Sequence, residues 1–164
     1  MANPTRSRRR IAKDLIQAYL RAVRRSESSH AYASLLGFTD FDAVSLQAKV
    51  QEGFRFTKLV NLTEAMGMTL EDTAGILFIS SRSLQRRKTE GRLHAGESDR
   101  LLRLSRVFGR AIQLFEGDKD AAVSWMNKPL PALGSLSPLV MSKTEPGALD
   151  VERLIGRLEH GVFS

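Results

Sequence analysis

The chain has 164 residues, 42% of them hydrophobic, enough for one core or two small ones and too many for a disordered polymer. No apolar run approaches the roughly 18 residues of a membrane span, and the N-terminus lacks the apolar centre of a secretory signal, so a cytoplasmic protein without membrane contact is expected. There is no Cys for a disulfide or a thiolate metal site, and the formal net charge of +7 is unevenly spread: residues 1–29 carry eight Lys or Arg against two acids, residues 80–110 carry nine against three, and the rest is acidic overall. That distribution points to polyanion binding at two places and leaves the C-terminal third for another task.

The opening ANPTRSRRR clusters Arg without apolar periodicity and reads as a mobile arm. Helical spacing then begins, with Ile11, Leu15, Ala18, Tyr19 and Ala22 on one stripe that ends at residues 26–29. A short helix over residues 30–36 closes on Gly37. Residues 38–50 fit a strand or an extended connection as well as a helix. From Gln51 onward, Phe54, Leu59, Leu62 and Met66 suit a core-facing helix stopped by Gly67.

Residues 69–89, TLEDTAGILFISSRSLQRRKT, read as two short helices around a turn. Leu70, Ala74 and Leu77 share a face of the first, Ile79 enters the turn, and Leu84 is the one large apolar residue of the second. A helix with a single anchor is suited to docking at one point and offering its other sides to a duplex. Helical spacing gathers Arg82, Gln85, Arg86 and Thr89 on one face, flanked by Arg87 and Lys88. Arginine forks onto guanine and Gln onto adenine, while Ser80, Ser81 and Ser83 at the helix start suit phosphates or base edges. The expected unit is a helix-turn-helix that reads DNA through Ser80, Ser81, Arg82, Ser83, Gln85, Arg86, Arg87 and Lys88. Two positions depart from the usual pattern: Phe78 stands where the turn commonly has Gly, and Arg87 stands at the late apolar position of the second helix.

A strong helix is predicted over residues 98–115, with Leu101, Leu104, Phe108, Ala111, Ile112 and Phe115 on one stripe. Gly117 ends it, and Asp118 caps a short helix carrying Ala121, Ala122 and Trp125. The stretch NKPLPALGSLSP holds three of the five prolines and excludes regular helix. A last helix opens at Thr144, carries Val151, Leu154, Ile155 and Leu158, and stops at Gly161. Trp125, Leu139 and Leu158 suit a small core or a partner contact equally. Val162 and Phe163, past the helix stop, favour insertion into another protein. No segment reads as sheet, so the predicted class is all-α.

Catalytic chemistry is absent from this pattern. His30, His94 and His160 lie far apart, none has a second ligand at metal spacing, and no nucleophile elbow, phosphate loop or dinucleotide fingerprint occurs. Glu159 and His160 are adjacent on a helix and point in different directions. Neither an enzyme nor a bound metal or cofactor is expected.

The ordered set SRSLQRRKTEGRLHAGESDRLLRLSRVF, AAVSWM, LGSLSPLVMSKTEPGALDVERLI and RLEHGVF, within residues 59–164, resembles the Xre/MbcA/ParS-type antitoxins of bacterial type II toxin-antitoxin modules. The resemblance implies an all-helical fold with an Xre-like helix-turn-helix part and a C-terminal toxin-binding domain. It divides the chain into an N-terminal extension over 1–50, a DNA-binding part over 51–116 and a toxin-binding part over 117–164. It further implies a RES-domain toxin partner that degrades NAD, inhibition by the C-terminal region at the toxin's active site, and repression of its own operon. By the same resemblance Arg82, Arg86 and Arg87 contact DNA, and Arg157, His160, Gly161, Val162, Phe163 and Ser164 contact toxin, while Trp125, Pro138 and Gly147 match motif positions with a structural role. A homodimer on a palindromic operator is expected, its two reading helices about one DNA turn apart. The extension over 1–50 is free to dimerise, to brace the reader or to lengthen its footprint. The competing expectation is a stand-alone regulator whose C-terminal domain senses a ligand or another protein.

Overall fold

Side-chain caps punctuate this chain. Asp42, Thr69, Ser80, Asp118, Ser137 and Thr144 each accept a hydrogen bond from the backbone N–H three residues on, satisfying a donor that a helix start leaves unpaired. A computed structural model describes residues 4–25, 28–40 and 42–161. Among them run α1 (Pro4–Arg24), a 3-10 segment (Ala31–Leu36), α2 (Ala43–Glu52), α3 (Phe56–Met66), α4 (Leu70–Ile76), α5 (Ser81–Glu90), α6 (Ala95–Leu114) and α7 (Lys119–Asn127). A 3-10 turn (Pro131–Leu133), α8 (Pro138–Met141) and α9 (Glu145–Glu159) complete them. The described residues hold two isolated bridges, Arg55 with Arg92 and Leu130 with Leu136, and no strand. No helix among them is long and apolar enough to cross a membrane.

The all-α expectation holds, with two corrections near the N-terminus and one open segment settled. Residues 4–10, expected as a mobile arm, form the first turns of α1. Arginine is a good helix former, and Arg8 meets Glu64 of α3 at 3.4 Å. The buried stripe of α1 keeps Tyr19 and Ala22 of the predicted one, but Ala12 and Ile16 take the places expected for Ile11 and Leu15, and Ile11 is exposed. Residues 38–50, whose pattern fits strand and helix alike, contain most of α2, which Asp42 starts by accepting from Ser45 N–H at 2.9 Å.

Helix α6 runs through the core, with Leu101, Leu104, Val107, Phe108, Ala111 and Ile112 fully buried. It begins three residues before the predicted start because the Glu97 carboxylate accepts from the His94 backbone N–H at 2.8 Å, closing the first turn. Helices α7 and α9 pack on it, and α1 packs on α3 and the 3-10 segment. Tyr19 of α1 reaches α6 by accepting from Gln113 Nε2 at 2.6 Å. Helix α1 is thus tied to both α3 and α6.

Candidate DNA and toxin interfaces

Helix α5 is held from behind and left free in front. Thr69 caps α4 by accepting from Asp72 N–H at 3.0 Å, and Ala74, Leu77 and Ile79 of the first helix and turn are buried. The chain turns at Phe78, whose φ of +54° lies in the left-handed region usually left to glycine, and its ring is 63% exposed. The Ile79 N–H donates to Ala74 O at 2.9 Å, and Ser80 then accepts from Ser83 N–H at 3.2 Å to start α5. From α6, Arg100 Nε donates to Leu77 O at 2.7 Å, clamping the turn. Gly91 closes α5 in the left-handed conformation.

Leu84 anchors α5 in the core as predicted. Ser80, Ser81, Arg82, Gln85, Arg86, Lys88 and Thr89 are exposed and Ser83 is half-buried, so the proposed reading face is open. Arg87 is not part of it. Its side chain is buried, with Nε donating to Glu97 and Nη1 to Glu90, both at 2.8 Å, and Nη2 standing 2.8 Å from His94 Nδ1. Arginine carries only donors, so His94 Nδ1 must be the acceptor in that last contact. Burial pushes the Glu97 carboxyl up, but the hydrogen bonds from Arg87 and from the His94 backbone outweigh it and hold the carboxyl below its ordinary range. The assignment of Arg87 to DNA is thus corrected: it fastens the reading helix to the start of α6.

Arg103, Arg106 and Arg110 of α6 also belong to the interior seam of the molecule. Arg103 meets Glu145 at 3.6 Å, Arg106 meets Glu145 at 2.7 Å and Glu152 at 2.8 Å, and Arg110 meets Glu159 at 2.8 Å. Part of the cation excess over 80–110 is therefore matched by acids of α9.

At the C-terminal end, Arg157, His160 and Gly161 are exposed, and His160 Nδ1 lies 2.7 Å from Gly156 O. Val162, Phe163 and Ser164 lie outside the described residues. Trp125 is half-buried against Phe115, with ring centroids 6.3 Å apart. Pro138 opens α8 behind its Ser137 cap. Gly147 lies in the first turn of α9, and a Cβ there would collide with Met141 O. Its requirement is close backbone approach. Leu136, Val140 and Leu149 are exposed apolar residues of this same region that the sequence pattern does not single out. Helical spacing alone does not separate them from the neighbouring core positions Leu133, Leu139 and Ala148.

Residues 45–106 match the antitoxin Xre-like helix-turn-helix domain, and residues 110–161 match the antitoxin Xre/MbcA/ParS C-terminal toxin-binding domain. The chain is 40% identical over 130 residues to an Antitoxin Xre of Photorhabdus laumondii, covering 79% of this chain and 88% of that relative. It is 30% identical over 150 residues to an Antitoxin Xre of Pseudomonas putida, covering 88% and 92%. A third Antitoxin Xre, from Yersinia enterocolitica, is 54% identical over 87 residues, a match that spans 52% of this chain and 59% of that relative.

Proposed function

The chain belongs to the Xre/MbcA/ParS family of antitoxins, and from that premise we propose that it neutralises a RES-domain, NAD-degrading toxin by occluding its active site and represses its own operon. Its role is that of an antitoxin, with no enzymatic step of its own. The reading is carried by one observation: α5 is anchored through Leu84 and Arg87 while Arg82, Gln85, Arg86, Lys88 and Thr89 face outward together. Such a helix suits a major groove, where Arg82 and Arg86 fork onto guanine and Gln85 onto adenine. Two copies related by a two-fold axis would present paired reading helices to a palindrome.

The toxin half of the proposal uses the other end of the chain. The exposed Arg157, His160 and Gly161 lead into Val162, Phe163 and Ser164, which together supply a polar helix end followed by apolar side chains of the kind that fill a cleft. The inhibition is steric and stoichiometric. The test is NAD content and growth of cells that express the neighbouring gene's product alone, with this protein, or with this protein truncated after His160. Loss of NAD that the full chain reverses and the truncated chain does not is the expected outcome. A well-expressed neighbour that leaves NAD and growth untouched would overturn the toxin assignment in favour of a stand-alone regulator.

A further inference from the structure

A second basic surface adjoins the end of the reading helix. Arg55, Lys58 and Arg92, with Lys49 at the edge, line one open depression beside Phe38, and Glu52 is the one acid in its lining. Backbone pairing builds it. Arg55 and Arg92 are partners in an antiparallel bridge, Phe56 N–H donates to Gly91 O at 2.9 Å, and Leu93 N–H donates to Phe54 O at 2.8 Å. Because Gly91 closes α5, these bonds place Arg92 directly beyond its C-terminal end and Arg55 beside it.

Four cations line the depression against the single lining acid Glu52. The ammonium groups of Lys58 and Lys49 lie 4.3 Å and 5.3 Å from the centre of the Phe38 ring. Lys49 has Asp40 at 3.5 Å, but among the described residues neither Arg55 nor Arg92 has a carboxylate within ion-pair distance. Burial, and then the charges of Lys49 and Arg55, hold the Lys58 ammonium below its ordinary range. A bound anion would relieve that repulsion.

We propose that Arg55, Lys58 and Arg92 form a phosphate site that grips the DNA backbone flanking the bases read by α5. The proposal rests on the reading that α5 enters a major groove. Backbone strands border that groove on both sides, so residues just past the end of a helix lying in it meet phosphates, which position the protein without reading sequence. Arg55 and Arg92 would act as direct donors, and Lys58 as a charge fixed between Phe38 and Gly37 O, to which it donates at 3.0 Å.

The test uses the full chain on two duplexes of equal length, the intergenic segment upstream of its own gene and a scrambled version, with affinity measured across a KCl series. Arg55→Gln and the double variant Arg55→Gln/Arg92→Gln are compared with Arg86→Ala. The expected result is uniform weakening on both duplexes for the patch variants, with the log–log salt slope shallower by about 1 for each phosphate no longer neutralised and an unchanged ratio between duplexes. Arg86→Ala should instead reduce that ratio. Arg92 also donates to Gly53 O, so if the double variant fails to fold, the exposed single site Arg55 decides. Wild-type affinity and slope in Arg55→Gln, alongside a reduced ratio in Arg86→Ala, would overturn the phosphate site alone. Unchanged behaviour in Arg86→Ala as well would overturn the DNA reading and the phosphate site with it.

Discussion

Arg86 and Arg87 are chemically identical neighbours with opposite surroundings, and helix geometry assigns them. Arg86 lies four residues from Arg82 on the outward face, whereas Arg87 lies three residues from Leu84 and follows it inward. That spacing is legible in the sequence, where position 87 is the place at which a late apolar residue normally stands. The partners are not legible, because Glu97 and His94 reach Arg87 only once the chain has turned back at Gly91. Removing one partner of a buried ionic network strands the other, so Arg87→Ala should lower folding stability by about 3–5 kcal/mol, against at most about 0.5 kcal/mol for Arg86→Ala. Chemical denaturation of the two variants measures the contrast. Glu97 adds a pH signature. Its folded carboxyl titrates below the ordinary value of 4.5, so the contribution is complete above that value and is lost as the pH falls through the lower folded one. The Tm of wild type should accordingly fall toward that of Glu97→Gln as pH drops from about 6 to about 3, and a constant gap would contradict the network's role.

Among the elements, α9 is legible because the Thr144 cap and Gly161 bracket its apolar stripe, and α7 because Asp118 caps its start, whereas the uncapped α3 begins at Phe56, five residues after the predicted Gln51. The start of α1 is not legible, because a run of Arg has no apolar periodicity and its helicity comes from propensity and from packing of the stripe that follows. The charges of α6 are equally opaque. In sequence, Arg103, Arg106 and Arg110 belong to a polyanion-binding segment, yet they pair in order with Glu145, Glu152 and Glu159 of α9. Seven-residue spacing of those acids acquires meaning only when α6 and α9 are known to lie together. The junction that delivers α9 to this seam is tight at Gly147, where backbone from α8 approaches to a distance no side chain tolerates. Gly147→Ala should cost about 2 kcal/mol or more through a forced shift of the α8–α9 junction, read as a lowered Tm of the full chain. A Tm equal to wild type would show that the backbone yields freely there.

For the whole molecule, α6 is the member on which both ends of the chain converge. Its first turns hold the reading helix through Glu97 and the turn through Arg100, and its later turns carry the arginines that receive α9. The two matched family segments, 45–106 and 110–161, both draw on residues of this one helix. A chain ending at residue 116 would lack α7 and α9 and so bare the side of α6 on which they pack. Each fully exposed large apolar side chain forfeits about 1.5–3 kcal/mol, a large fraction of a typical folding free energy. Circular dichroism during heating should show the 1–116 fragment unfolding broadly or precipitating, where the full chain gives one cooperative transition. A sharp, wild-type-like transition in the fragment would mean that the helix-turn-helix part folds on its own.

Two roles carried on one uninterrupted rod cannot be traded as interchangeable cassettes. A hybrid built to redirect the C-terminal part toward a different toxin would have to keep α6 whole. It would also have to supply acids in register with Arg103, Arg106 and Arg110, so the joint belongs after Gly117 and the donor helix must be chosen for its inner face as much as for the surface it presents.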